Sequence, residues 1–256
     1  MAKKSKTEIM KYEARDALTE MSSGALAAFE EFFSPELSAG ARGGSGGSWV
    51  RLSAEGVMRQ GEREIGSELD AVILAAVETR QLYPGAFIEG QKSSPVCFAI
   101  GTDAPHASSP QKQSAECATC RKGAFGSAPN GRGGRACRWE RRLLLLPWGR
   151  DINIAEDPLY LMKVSPTNTT KLTSYNSKLE SIGQRLQSVV TAISTKPHQK
   201  NRYEMCFEPT VAINDRERLE QLGRRAKAGR DMLMAPPSVQ AEGDKQTSTG
   251  RRQVRA

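Results

Sequence analysis

Four of the five cysteines have the spacing of a metal site. They are Cys97, Cys117, Cys120 and Cys137, so a Cys-x-x-Cys pair lies between two single cysteines. A Cys-x-x-Cys turn presents two sulfur atoms to one ion, and two further thiolates complete a tetrahedral zinc site. A site closed by four thiolates has no open position for water. The spacing therefore predicts one structural Zn²⁺, and the glycine- and serine-rich sequence between the cysteines would wrap the ion without a core.

These residues also have simpler interpretations. Cys206 lies in an apolar run, and single buried cysteines are common, so we expect it to be structural. The Cys-x-x-Cys pair could be a redox dithiol, but no thioredoxin-like pattern surrounds it. His106 could replace one cysteine as a ligand.

Cations and aromatic rings are concentrated around the same cysteines. Proteins that bind single strands combine cations along a phosphate track with aromatic faces on which bases stack. Phe125 and Trp139 are the candidates for stacking, although Trp139 could equally pack in the core and Phe125 could cap the metal site. The cations could also serve only to keep a small metal module soluble. The expected phosphate contacts are Arg121, Lys122, Arg135, Arg138, Arg141 and Arg142.

Other chemistries have less support in the sequence. There is no P-loop, no nucleophile elbow and no histidine-rich cluster, and the chain has only 2 histidines. The run GRGGRAC is not a dinucleotide fingerprint, because no strand directly precedes it and no helix follows. We therefore expect neither an enzyme nor a small-molecule substrate.

Composition indicates one sizeable domain with tails and a polyanionic partner. The chain has 256 residues, 38% of them hydrophobic, and a formal net charge of +8. Positive charge of this size favours nucleic acid as a partner. No apolar run reaches the roughly 18 residues of a membrane span, and the basic N-terminus lacks the apolar stretch of a signal peptide. We expect a cytoplasmic protein, with reduced or metal-bound thiols and no membrane contact.

Short strands should position the cysteines. The expected fold class is α+β with a mainly β core, and the run Val72–Leu74 is interpreted as a central strand, with a buried helix as the alternative. An amphipathic helix is expected over 165–187, where apolar residues recur every three or four positions. The other strands are expected around Trp49 and in VCFAI, RRLLLLPWG, DPLYLMKVS, VVTAIST and RYEMCFEPTVAI, the last two as a hairpin.

The same patterns divide the chain into parts. We expect an N-terminal helical arm over 1–37, a flexible Gly/Ser linker over 38–48 and a core over 49–214. A charged helix over 215–234 and a disordered polar tail over 235–256 follow. The cysteines occupy an insertion of the core at about 97–142.

Four segments carry a resemblance to a protein family. They are SPVCFAIGTDAP, CATCRKGAFGSAPNGRGGRACRWERRLLLLP, LYLMKVSPTNTTKLTSYNSKL and VVTAIST…RYEMCFEP, and they resemble single-stranded DNA-binding proteins of tailed phages and prophages. The similarity covers about residues 49–210 and is strongest over 95–147. Its motif is carried by Cys97, Cys117, Cys120, Gly126-Ser127, Gly131 to Arg135, Cys137 and Arg141-Arg142. The resemblance implies an OB-like barrel with a zinc-bearing insertion, acting in phage DNA replication or recombination in the host cytoplasm.

The sequence departs from that family in two places. The family commonly has Pro-x-Asn after its Cys-x-x-Cys, where this chain has Arg121-Lys122-Gly123. Its proteins often end in an acidic tail that recruits partners, whereas this tail is basic. Single-stranded DNA is the expected partner, with replication or transcription proteins as further partners. The alternative is a zinc-stabilised interaction module that docks on a host or phage enzyme such as RNA polymerase.

Overall fold

The computed structural model describes residues 48–53, 55–61, 63–85, 93–129, 133–199 and 202–237. The predicted N-terminal helical arm and almost all of the predicted linker lie outside the described residues. So does the predicted tail from residue 238 onward.

The described chain has an α+β structure that consists mainly of strands, as the sequence predicted. Its helices are α1 (Pro166–Ser181), α2 (Arg216–Ala228) and α3 (Arg230–Met234), and none of them is long and apolar enough to cross a bilayer. The nine strands form one strongly curled half-barrel sheet. They are β1 (Ser48–Leu52), β2 (Met58–Gln60), β3 (Arg63–Gly66), β4 (Glu68–Leu82), β5 (Cys97–Ile100), β6 (Cys137–Pro147), β7 (Tyr160–Val164), β8 (Val189–His198) and β9 (Arg202–Ala212).

The long strand β4 organises the sheet. The strand order is β3-β2-β1-β7-β6-β4-β8-β9, and β5 also pairs with β4. Only β1 and β7 run parallel; the other described pairs are antiparallel. One edge of β4 pairs with β6, and the other pairs first with β8 and then with β5. The starts of β5 and β6 therefore lie on either side of the end of β4.

Both faces are covered at the centre of the sheet, which explains why its central strands are apolar at successive positions. On one face, α1 packs Tyr175 against a cluster that includes Ile73 and Leu145. On the other face, α2 and α3 contribute Leu222 and Leu233 to a cluster that includes Leu144. The strand interpretation of the Val72–Leu74 run is confirmed, and its alternative as a helix is wrong. We term the two sides the α1 face and the α2–α3 face.

The helix α1 is shorter than the sequence predicted. It begins with Pro166, which suits the first helical turn because that turn needs no backbone donor there. It ends at Ser181 because Gly183 adopts φ of 74°, a left-handed conformation that glycine accepts and that terminates a helix. The chain then returns through a 3₁₀ turn to β8.

The charged C-terminal helix is divided at Gly229. The carboxylate of Asp215 accepts a hydrogen bond from the Arg218 backbone N–H, which satisfies one free donor at the start of α2. At Gly229 the backbone approaches the sheet so closely that a Cβ atom would lie 2.5 Å from a methyl group of Leu144. A side chain at this position would clash with Leu144. The segment forms two helices that meet at Gly229, rather than the single one expected over 215–234.

The segment between β5 and β6 has little regular structure. In its described part it contains no strand and one 3₁₀ turn, at Arg121–Gly123. We term residues 97–137 the cysteine module. Its shape depends on turns and side chains rather than on a core of its own.

Candidate metal centre and basic surface

The four cysteines of the module surround one cavity. It has a volume of about 20 Å³, which is room for about one water-sized sphere. Leu82 and Trp139 supply apolar wall, and the sulfur-bearing residues of the wall are Cys97, Cys117, Cys120 and Cys137. Thiols that are far apart in the sequence thus share one small space.

Strand pairing places two of these cysteines side by side. Leu82, the last residue of β4, is the partner of Cys97 in β5 and of Cys137 in β6. Because side chains of directly paired residues point to the same side of a sheet, both thiols lie on one face beside Leu82. Two residues back, Arg80 pairs with Trp139 and lies on that same face.

Backbone hydrogen bonds hold the other two cysteines. The N–H of Cys117 donates to the carbonyl of Asp103. The N–H of Cys120 donates to the Cys117 carbonyl over 3.4 Å, and the N–H of Gly123 donates to the Cys120 carbonyl over 2.9 Å. These successive turns let the Cys-x-x-Cys segment approach the sheet without apolar side chains.

The thiols affect one another electrostatically. Burial, followed by the neighbouring Cys117, Cys97 and Cys120, raises the pKa of Cys137 to about 12. Burial also raises the pKa of Cys117, although the Arg80 guanidinium opposes this. Ionising several of these sulfurs together is unfavourable unless a cation lies among them. Four sulfur donors around one small space are a ligand set that Zn²⁺ prefers, so the residues fit the metal.

The structure shows a cavity lined by thiols. Within the residues that the structure describes, no group of three or more His, Cys, Asp or Glu side chains is close enough to hold a metal ion. Zn²⁺ binding therefore stays a prediction.

Arg80 connects the cavity to the sheet, and sequence analysis missed it. Its guanidinium donates to a Glu78 carboxylate oxygen over 3.1 Å and to an Asp103 carboxylate oxygen over 2.8 Å. It also lies beside the Cys117 thiol, whose backbone is held by the same Asp103. The sequence did contain a signal for this role, a single arginine near the end of a long apolar strand. A buried guanidinium needs charged or polar partners, so an arginine in that position predicts a nearby polar site.

Trp139 is part of the cavity wall. The guanidinium groups of Arg80 and Arg135 lie over its ring, 4.3 Å and 4.0 Å from the centroid. Its indole N–H is buried and has no hydrogen-bond partner among the described residues. A base could stack on this ring only by displacing a guanidinium. The geometry thus favours packing over base stacking for Trp139.

Phe125 projects from a loop that hydrogen bonds hold in place. The Ser127 hydroxyl donates to the Lys122 carbonyl and accepts from the Ala136 N–H, each over 2.9 Å. Next to Phe125, Gly126 has φ of 86°, and its N–H donates to the Gly134 carbonyl over 2.6 Å. Phe125 is 80% exposed and does not line the cysteine cavity. Its ring is therefore available to a ligand or a partner.

The predicted phosphate-binding cations fall into three environments. Arg121, Lys122, Arg135 and Arg138 are exposed. Arg141 is partly exposed and lies 3.3 Å from a Glu78 carboxylate oxygen. Arg142 is only 1% exposed and donates through one terminal nitrogen to the carbonyls of Leu233 and Ala235, over 2.6 Å and 2.7 Å. The prediction that Arg142 contacts phosphate is wrong, because the end of α3 covers it.

His106, the alternative ligand, and Cys206, the cysteine expected to be structural, do not line the cavity. The His106 ring stacks on Phe98 with centroids 5.3 Å apart, and its Nδ1 lies 2.8 Å from the Ser108 hydroxyl. Cys206 lies in β9 opposite Ser194 and is half-buried. Neither residue lines the cavity that the four other cysteines share.

Comparison with known proteins leaves the function to be argued from this geometry. No protein-family model, curated protein or solved structure gives a significant match to the chain.

Proposed function

We propose that the protein binds single-stranded DNA with little regard to sequence and performs no catalysis. In this proposal Cys97, Cys117, Cys120 and Cys137 hold one structural Zn²⁺ that cross-links the cysteine module to the sheet. The resemblance of the sequence to phage proteins suggests DNA replication or recombination in the host cytoplasm as its setting.

The observation that supports DNA binding is the free positive charge of the module. Arg121, Lys122 and Arg135 are exposed, and none of them forms an ion pair with a described carboxylate. Cations that no protein carboxylate neutralises can contact phosphate groups, and such contacts carry no sequence information. Phe125, exposed beside them, offers a flat face for a base.

Removing the charge of the module tests this function. The variant Arg121→Gln/Lys122→Gln should bind labelled oligothymidylate about tenfold more weakly at low salt, because hydrogen bonds to charged groups are lost. The slope of log affinity against log salt should fall by about 0.7 for each lost contact. The control Lys171→Gln/Lys178→Gln removes two charges from α1 and should bind like the wild type. Equal affinities for the two double variants would show that Arg121 and Lys122 of the cysteine module do not contact DNA.

The exposure of Phe125 also favours a second candidate function. An isolated ring that is 80% exposed on a constrained loop suits insertion into a pocket of a protein partner. The protein would then be a zinc-stabilised module that docks on an enzyme such as RNA polymerase. A docking protein should bind DNA weakly or not at all, so the oligonucleotide titration distinguishes the two functions.

A further inference from the structure

A second group of cations lies on the α2–α3 face of the sheet. Successive residues of a strand point to opposite faces, so Arg138 and Arg142 lie on the face opposite Trp139. In β7, Lys163 is the direct partner of Arg142. In β1, Val50 pairs with Met162 and both belong to the α1-face core, so Arg51 lies on the same face as Lys163. We term Arg51, Arg138, Arg142 and Lys163 the basic face.

The basic face has far more positive than negative charge. Lys163 interacts electrostatically with Arg51, Arg138 and Arg142, and among the described residues one carboxylate, that of Glu140, acts on it. That carboxylate lies 3.9 Å from the Lys163 ammonium nitrogen. Neither Arg51 nor Arg138 has an ion pair within the described ranges. One carboxylate cannot neutralise four cations, so the group would gain from a further anion.

Buried polar atoms of this face also lack partners. Gln81, which is 1% exposed, accepts hydrogen bonds from the Tyr83 hydroxyl over 2.7 Å and from the Lys163 ammonium over 3.3 Å. Its own amide nitrogen has no acceptor among the described residues, and the same is true of Arg142 Nε. Buried donors in proteins are almost always satisfied, so each exception requires an explanation. The buried acceptor Glu140 Oε2 also lacks a hydrogen-bond partner in the described part of the chain, so the imbalance of this face lies in its charges rather than in its hydrogen bonds.

An anion can reach this face from solvent. Arg51 and Arg138 are exposed, and 40% of the Lys163 side chain is accessible. Burial lowers the pKa of Lys163, and the cations Arg142, Arg51 and Arg138 lower it further against the opposing effect of Glu140. Binding of an anion would relieve this repulsion.

Aromatic rings flank the exposed cations. Trp49 is partly exposed, and its ring centroid lies 5.7 Å from the Lys163 ammonium and 5.4 Å from the buried Arg142 guanidinium. On the other side, the Tyr83 ring lies 5.8 Å from the Arg138 guanidinium. Cations interleaved with flat rings are typical of surfaces that follow a single nucleic-acid strand.

We infer that the basic face is a phosphate-binding subsite for the backbone of a single-stranded nucleic acid, contacted by Lys163, Arg51 and Arg138. The buried guanidinium of Arg142 adds to the positive electrostatic potential of the face but does not contact the ligand. This inference rests on the proposed function, because the strand is the same one. It extends the binding track from the cysteine module to the opposite face of the sheet.

Conservative loss of charge tests the subsite. The full-length, zinc-loaded protein and its variants Lys163→Gln and Arg51→Gln are titrated with labelled oligothymidylate of about 16 nucleotides, the upper end of site sizes for one OB-like fold. Each variant should lose about tenfold in affinity at low salt. Each should also reduce the salt slope by about 0.7. Lys163→Arg keeps the charge and should restore binding, and Lys196→Gln removes an exposed lysine of β8 and should change nothing.

The possible outcomes separate this inference from the function on which it rests. If the wild type binds and Lys163→Gln and Arg51→Gln match it in affinity and slope, the basic face is not a subsite, although the protein still binds DNA. If the wild type does not bind, both claims are overturned.

Discussion

The guanidinium of Arg80 lies 4.3 Å from the centre of the Trp139 ring, at the point where the sheet meets the cysteine cavity. The two residues are direct partners in β4 and β6. Arg80 also binds Asp103, whose backbone carbonyl accepts the Cys117 N–H. One buried side chain therefore fixes both a wall of the cavity and one of the proposed zinc ligands.

This relationship predicts that metal affinity depends on a residue that is not a ligand. Arg80→Gln should weaken Zn²⁺ binding about 10- to 100-fold, the usual cost of losing a partner that orients metal ligands. Competition with a chromophoric chelator measures the affinity. Arg141→Gln is the matched control, because Arg141 pairs with the same Glu78 but does not contact Trp139. Equal affinities for Arg80→Gln and the wild type would show that Arg80 has no part in the site.

The metal content itself is a second prediction. Protein purified without chelator should contain about one zinc per chain, because the donor set is that of a closed tetrahedral site. Cys117→Ser and Cys120→Ser should lose the metal, whereas Cys206→Ser should retain it. Acid should release the zinc, since protons compete for the thiolates. Elemental analysis that finds no zinc in the wild type would exclude the site.

Arg142 should matter for stability rather than for binding. Arg142→Ala removes a buried donor from two carbonyls at the end of α3, and we expect the free energy of unfolding to fall by about 2–4 kcal/mol. The neighbouring Arg141→Ala breaks only a partly exposed ion pair and should cost about 1 kcal/mol or less. Denaturant unfolding of the two variants measures the difference. Similar small losses would mean that the Arg142 contacts contribute little.

These arginines also show what the sequence could and could not reveal. The apolar runs predicted the central strands, and both Arg141 and Arg142 were expected to contact phosphate, although alternation along β6 places them on opposite faces of the sheet. Alternation cannot say which face is covered, however, and the cover over Arg142 comes from α3, far along the chain. Lys163 was missed for a related reason: a lone lysine in the apolar run YLMKV gives no sign of the cations on neighbouring strands.

The sequence indicated that the four cysteines lie near one another, and strand pairing explains part of this. Cys97 and Cys137 each lie at the first position of a strand, and both strands pair with Leu82. Spacing alone indicated that the four cysteines could share an ion. Spacing could not show that Trp139 lines the cysteine cavity. The two guanidinium groups that cover its ring belong to Arg80 and Arg135, which come from different parts of the chain.

Tyr175 gives a prediction for alkaline pH. Its hydroxyl is 2.7 Å from the Thr191 hydroxyl in the core, and burial raises its pKa to about 12, with the Thr191 hydrogen bond opposing the shift. A raised pKa means that the unfolded chain loses this proton first. The contribution of the protonated Tyr175 hydroxyl to the free energy of unfolding is therefore complete below about pH 10 and is lost as the pH rises towards 12. Between those values the wild type should lose on the order of 2 kcal/mol more unfolding free energy than Tyr175→Phe. Parallel pH profiles for the two proteins would contradict this assignment.

The central claim is that the protein binds single-stranded DNA through its backbone. Equilibrium binding of the zinc-loaded wild type to oligonucleotides of unrelated sequence, measured across a range of salt concentrations, tests it most directly. We predict similar affinities for all sequences and a linear fall of log affinity with log salt, with a slope of about −0.7 for each phosphate contacted. Absent binding, or binding that does not change with salt, would contradict the claim and favour the docking module.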